Sequence, residues 1–396
     1  GIVKREIDGW SEISYLPSSI NSGPWDGDAV FSSDNNTIIF ASSRNTGYNY
    51  SNHSEYHGAS KRPLDLYAAH KTENGSWGEP VNLGPVINTT LSERAPFLHP
   101  DMKTLYFSSD GHAGVGKYDV FKSTRLDEDC WDCWSEPINL GKEINTTKDD
   151  WGYKISTDGT TAYFSKKAAN EDHYDLYSLN IPYYLRPDYV ATISGRIEGL
   201  ANEVIETEII WEDLESEEEI GRSTTNPETG EFFIVLPMGK IYGYYINKED
   251  YFPYSNSLDL RNELEPVELN ENIQVITFNE MIDNEIPVPL SNLFFKTNSS
   301  KLRRTSYAEL KRLAKILIEN NLKIELSGHT DNIGDPEDNY ELSLKRATSV
   351  KDFLIELGCN PELILTSGKG DTEPVESNET SEGRQKNRRV TVKFIR

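Results

Sequence analysis

The sequence predicts a multidomain chain. All-β propeller-like repeats occupy residues 1–182, an all-β sandwich 188–262, and a C-terminal α/β sandwich 288–396. Three observations predict this. A Trp-x-Glu motif recurs three times with its downstream residues in fixed register. The middle stretch alternates apolar and polar residues at the strand period. The last stretch switches between strand and helix periods. Residues 263–287 read as a linker carrying one or two strands.

Composition bounds the possibilities. At 396 residues the chain exceeds one ordinary core, which sets about two to four domains as the expectation. With 21 Tyr, 7 Trp and 27% charged residues, it suits packed cores rather than disorder. A formal charge of −25 argues against nucleic acid or an anionic membrane surface as the main partner. No run of about 18 apolar residues occurs, so no segment of this chain reads as membrane-spanning.

Three cysteines are present. Cys130 and Cys133 form a C-x-x-C between expected strands, and no further ligands lie at zinc spacing, so a local disulfide or two ordinary thiols is the expectation. His53 and His57 share a polar loop, and neither is expected to hold a metal.

The repeat organises the first domain. "WSEISYLPSSIN", "WGEPVNLGPVIN" and "WSEPINLGKEIN" begin at Trp10, Trp77 and Trp134, each with Glu at +2, Leu at +6 and Ile-Asn at +10. An acidic turn follows at +24, placing Asp34, Asp101 and Asp158 in one slot, with Phe40, Phe107 and Phe164 six residues later. Each unit closes on an alternating strand, as in "LDLYAAHK", "YDVFKSTR" and "YDLYSLNI". Short strands joined by Asp turns, whose carboxylates accept backbone N–H groups, predict four-stranded blades. The Trp, Asp and Phe residues are expected to hold blades together, leaving ligand chemistry to loops such as "RNTGYNYSNHSEYHGASKRP".

The units resemble TolB-type β-propeller repeats of periplasmic bacterial proteins. Three blades cannot close a ring, and "GIVKREIDGW" aligns with the tail of a blade. A processed chain is therefore expected, with further repeats, a targeting signal and a lipidation cysteine upstream. From 188 on, "VATISGRIEGL", "EVIETEIIWEDL" and "GEFFIVLPMGKIYGYYI" read as strands with turn residues between them. Their order resembles the carboxypeptidase-regulatory-like (transthyretin-like) β-sandwich, a module implying no chemistry of its own. The acidic run "EDLESEEEI" reads as a solvated edge.

In the last domain "LSNLFFKTNSSKL" reads as a strand and "SYAELKRLAKILIENN" as an amphipathic helix with a Ser306/Glu309 capping box. "KIELSGHTD" follows as a strand. "YELSLKRATSVKDFLIELG" is a second helix capped by Gly358, with Leu342, Val350, Leu354 and Leu357 facing the core. "NPELIL" opens a short helix and "RRVTVKFIR" ends the chain as a strand. The order of elements predicts helices on one face of a mixed sheet.

Here "SGHTDNIG", N-x-x-L-S-x-x-R-A-x-x-V over 339–350 and "GRQKNRRV" resemble, in order and spacing, the OmpA/MotB-like peptidoglycan-binding family. The resemblance implies that Asp331 and Arg346 grip the diaminopimelate of a peptidoglycan stem peptide. Thr330, Asn332, Asn339, Arg388 and Arg389 match positions lining the same pocket. The residue types suit that ligand: a carboxylate takes an ammonium, and a guanidinium takes a carboxylate in a fork. A pocket that holds a zwitterion should keep Asp331 and Arg346 close without a tight direct bond.

The resemblance thus implies a non-enzymatic, cofactor-free anchor in the periplasm, associated with the outer membrane, whose propeller and sandwich meet other envelope proteins. The domain order is similar to that of Bacteroidetes envelope proteins, some tied to type IX secretion. The main alternative is a carbohydrate- or protein-binding propeller for which the last domain is a tether. An envelope hydrolase is the remote one, since no G-x-S-x-G, H-E-x-x-H or phosphate loop is present.

Overall fold

The structure is a computed structural model describing residues 5–6, 9–22, 25–44, 63–72, 74–167, 173–296 and 299–395. His53, His57 and most of the loop between Arg44 and Pro63 lie outside the described residues. The chain divides into two compact units, one of Gly1–Ser194, Phe233–Gly239 and Asn262–Asn270, the other of Gly195–Phe232, Lys240–Arg261 and Glu271–Arg396. Among the described residues no helix is long and apolar enough to cross a membrane.

In the first unit the repeat becomes three successive antiparallel sheets. The first orders Asp26–Phe31, Thr37–Ser42, Asp65–His70 and Val81–Asn82; the second orders Glu93–Leu98, Thr104–Ser109, Asp119–Thr124 and Ile138–Asn139. The Val-Asn and Ile-Asn pairs downstream of Trp77 and Trp134 are thus the fourth strands. Consecutive sheets share cores: Phe107 and Trp134 pack with Ile39 and Leu66, while Tyr106 and Ile144 pack with Tyr153 and Phe164.

The motif residues hold these sheets. Asp34 accepts the Asn36 N–H (3.0 Å), Asp101 the N–H groups of Lys103 and Thr104 (2.9 and 2.8 Å), and Asp158 that of Thr160 (3.0 Å). Asn145, 2% exposed, accepts the Val120 N–H (2.7 Å) and donates to the Val120 carbonyl and to Asn139. Asn88 repeats this pattern on Leu66 and Asn82. A buried amide that satisfies both backbone groups of one strand residue explains why Asn follows Ile in the motif.

The third sheet departs from expectation. Among the described residues it has three strands, Trp151–Ile155, Thr161–Lys167 and Tyr174–Asn180, and no fourth. The chain after Asn180 lacks a Trp-x-Glu segment. It turns instead through Tyr183–Leu185, where Leu185 enters the core and its carbonyl accepts the Tyr106 hydroxyl (2.9 Å). Among the described residues the three sheets do not close a ring. Cys130 and Cys133 are joined as a disulfide.

Between residues 190 and 274 two further sheets form. One places Val190–Glu198 between Glu231–Pro237 and Val267–Gln274; the other orders Glu218–Thr224, Glu208–Asp213, Ile241–Ile246 and Tyr254–Asp259. The stretch 263–287 therefore supplies a strand and also a short helix, α1 (Phe278–Asp283), capped by Thr277 and Glu280.

The C-terminal domain follows with β1 (Val288–Pro289), α2 (Tyr307–Asn320), β2 (Lys323–Gly328), α3 (Pro336–Glu356), β3 (Ile364–Gly368), α4 (Ser381–Asn387) and β4 (Val390–Ile395). The sheet order is β1-β4-β2-β3, with β2 and β3 parallel and β4 antiparallel to β2. Leu310, Leu313, Ala314 and Leu317 from α2 and Ala347, Val350 and Leu354 from α3 share a core with Ile324, Leu326, Val392 and Phe394. Gly358 just beyond α3 takes φ +101°, the left-handed value its position demands.

Three local expectations fail here. "LSNLFF" forms no strand: Phe295 makes one isolated bridge with Leu302, and the Phe294 backbone is bonded by the Ser306 hydroxyl (2.7 and 3.0 Å). That use of Ser306 removes the capping box, and Glu309 turns inward to accept the Ser255 hydroxyl (2.6 Å) and Arg312 (3.2 Å). Leu342 lines a cavity instead of the core.

α3 lies directly on the ends of β2 and β3. A Cβ at Gly328 would strike the Ser343 carbonyl oxygen, and one at Gly368 would sit 2.8 Å from the Ser343 hydroxyl and the Tyr340 carbonyl. Gly328→Ala is expected to destabilise the C-terminal domain by about 2 kcal/mol or more, read as a lower urea midpoint for that transition. In the first unit, Asn145→Ala should cost about 1–3 kcal/mol by leaving Val120 unpaired, checked by the same denaturation.

Candidate functional site

The site forms where β2 runs out. Beyond Gly328 the backbone stays pinned on both sides: the His329 N–H donates to the Arg389 carbonyl (2.9 Å) and the Thr330 N–H to the Gly370 carbonyl (2.8 Å). Asp331 is thereby delivered rigidly just beyond the end of this inner strand, 8% exposed. One of its oxygens accepts the Ile333 N–H (3.1 Å), and the other pairs with Arg388 Nη1 at 2.5 Å.

α3 carries the opposite charge. It begins at Pro336, four residues before the expected Tyr340, because Asp335 caps it by accepting the Glu337 N–H (2.9 Å). Glu337 and Asp338 lie exposed in its first turn, where acids suit the helix dipole. Arg346 therefore sits in the middle of the helix, on the stripe shared by Asn339, Ser343 and Val350, and is 8% exposed. Its guanidinium lies over the Phe295 ring (5.1 Å to the centroid), and Nε donates to the Ser299 carbonyl (3.3 Å). Burial lowers its pKa, Arg388 adds to that, and Asp331 opposes it.

Asp331 and Arg346 both face one cavity of about 500 Å³, also lined by Thr330, Asn339 and Arg388. Asp331 pairs with Arg388 rather than Arg346, so the two are neighbours without a direct bond among the described residues. The Thr330 hydroxyl is buried without a hydrogen-bond partner among the described residues. Asn339 donates to the Asp331 carbonyl (3.4 Å), fixing the loop to the helix.

Two positions fall elsewhere. Asn332 is exposed and does not line the cavity. Arg389 reaches the Glu373 carbonyl (3.1 Å) instead of the cavity, because consecutive residues entering β4 project to opposite sides. Asn387, the third polar residue of that motif, is fully buried and pins the preceding loop by accepting the N–H groups of Val375 (2.8 Å) and Glu376 (3.0 Å).

The cavity also takes in residues the sequence reading passed over: Phe295, Arg303, Arg384 and Gln385. The run "GRQKNRR" held the signal for Arg384 and Gln385, whereas Phe295 and Arg303 arrive through tertiary packing alone. The lining holds Lys296, Arg303, Arg346, Arg384 and Arg388 against the single acid Asp331. This is a strongly cationic concavity in a chain of charge −25.

Residues 294–388, which hold this charged cleft at the strand ends, match the OmpA family. This C-terminal domain is OmpA-like. Outer membrane protein A of Bordetella avium is 47% identical over 68 residues, 17% of this chain and 35% of that protein. Peptidoglycan-binding protein ArfA of Mycobacterium tuberculosis is 37% identical over 99 residues, 25% of this chain and 30% of that protein. The periplasmic domain of Helicobacter pylori MotB aligns with 28% of this chain and 79% of its own at 30% identity, with a TM-score of 0.25. The chain thus spans about a third of the length of the two curated relatives.

His329 supplies a pH test of the site's support. Burial holds its pKa down at about 4 from 6.5, with Arg389 adding to the shift. The folded state therefore binds fewer protons than the unfolded one, and the stability this gives is present above pH 6.5 and lost as pH falls towards 4. Thermal midpoints should fall more steeply over that window in the wild type than in His329→Gln.

Proposed function

We propose that this chain is a non-enzymatic anchor of the bacterial cell envelope whose C-terminal domain binds peptidoglycan through the diaminopimelate of the stem peptide. One observation carries the reading: Asp331 and the buried Arg346, unbonded to each other among the described residues, bring opposite charges to one cavity, which suits a zwitterion. Asp331 takes the ligand ammonium, with Arg388 giving way, and Arg346 takes the adjacent carboxylate. Thr330 offers its unpartnered hydroxyl and Asn339 keeps the loop in place. The similarity to a protein named for binding peptidoglycan supports the ligand class. Each contact is modest, and the wall's many copies of the ligand raise retention.

The anchor works in the periplasm at the outer membrane, and the β-rich remainder meets envelope proteins. The third sheet of the first unit supports that part. Among the described residues its outer strand Tyr174–Asn180 has no further partner strand, and Tyr163, Tyr174, Leu176 and Tyr177 are exposed on that sheet. The same feature favours a second reading, in which that surface does the principal binding and the C-terminal domain tethers it. A place in a type IX secretion-associated assembly rests on domain order alone.

Sedimentation with purified peptidoglycan tests the site. Asp331→Ala and Arg346→Ala should each lower retention at least about tenfold, the loss of one charge-assisted contact, while keeping the wild-type circular dichroism. Equal retention of all three proteins would refute the pocket assignment.

A further inference from the structure

The cavity is lined by Arg346 and by a further arginine, Arg303, to which the sequence motifs do not point. Phe295 contacts both. Its ring lies beneath Arg346, and its carbonyl accepts Nε of Arg303 (3.1 Å). Each arginine spends its Nε on a backbone carbonyl, and neither has a carboxylate partner among the described residues. Arg346 is nevertheless 8% exposed. A guanidinium so buried without a counter-ion is costly, and an anion entering the cavity relieves that cost. Of the other cations, Arg388 neutralises Asp331, Arg384 is spent on the Asn378 and Glu379 carbonyls, and Lys296 is exposed.

We infer that Arg303 and Arg346 together form a two-guanidinium clamp for one carboxylate, and that the domain therefore selects stem peptides whose diaminopimelate keeps a free side-chain carboxylate over those in which it is amidated. This rests on the peptidoglycan reading and adds a specificity-determining residue to it. The physical basis is asymmetric. A free carboxylate accepts from both forks and cancels charge, whereas a primary amide brings no charge and presents its own N–H donors to a cluster of donors. Arg303 is exposed at the cavity mouth, so its replacement leaves the core untouched.

The test is calorimetric titration of the full chain with the tripeptide L-Ala-γ-D-Glu-meso-diaminopimelate, carrying either a free or an amidated side-chain carboxyl. Wild type should bind the free acid roughly tenfold more tightly than the amide, and Arg303→Gln should erase that preference by weakening only the free acid. Arg303→Lys, which keeps the charge and loses the fork, should fall between. If Arg303→Gln weakens both forms equally or neither, the clamp is refuted while the peptidoglycan reading stands. If the wild type binds neither form, the peptidoglycan reading fails and the clamp with it.

Discussion

The C-terminal site depends on one close approach. Gly328 and Gly368 end two parallel strands without side chains, and the backbone of α3 at Tyr340 and Ser343 occupies the space left. The Ser343 hydroxyl ties the contact by donating to the Tyr340 carbonyl (2.7 Å) and accepting the Gly370 N–H (3.0 Å). Asp331 lies three residues beyond the first glycine and Arg346 one helical turn beyond Ser343. The separation of the two charges is therefore set by backbone packing, not by flexible side chains.

Electrostatics then specialise the cleft. Placing Arg346 against Phe295 and the Ser299 carbonyl stabilises its position but leaves its charge without a carboxylate among the described residues, while Arg388 holds Asp331. The site is a set of separated charges with a surplus of donors, a state that favours an anionic or zwitterionic occupant. The folded domain forgoes some stability to hold that arrangement, and the apolar core shared by α2, α3 and the sheet offsets it.

A second charged cluster, unrelated to the cleft, joins α2 to the strands before it. Arg312 Nη1 donates to both Glu212 oxygens (3.0 and 3.1 Å), Nη2 donates to Glu309 (3.2 Å), and the guanidinium lies over the Tyr245 ring (4.1 Å). Burial pushes the Glu309 carboxyl up while Arg312 pulls it down. Arg304, in the turn just before α2, and Lys311 on α2 hold Glu217 (2.9 and 3.0 Å). The sheet of 208–259 and the C-terminal domain are thus fastened within one unit. The acidic run that reads as a solvated edge supplies part of that fastening through Glu217.

Much of this was legible because it is local and periodic. The Asp and Asn slots of the repeat, the two amphipathic helices and the strand after α2 follow from short-range pattern, and those motifs placed Asp331, Thr330, Asn339, Arg346 and Arg388 on one cavity. Pattern failed where a side chain was claimed by a distant backbone. Ser306 left its cap for Phe294, and Arg389 turned to Glu373 while Arg388 turned inward. Leu185 took the core position in the third sheet where a fourth strand was expected. The sequence by itself determined which elements form and where their charges lie along the chain. Only the tertiary structure decided which charges meet, that Arg388 holds Asp331, and that Phe295 contacts both Arg303 and Arg346, because those contacts join residues 8 to 57 positions apart whose geometry no local period encodes.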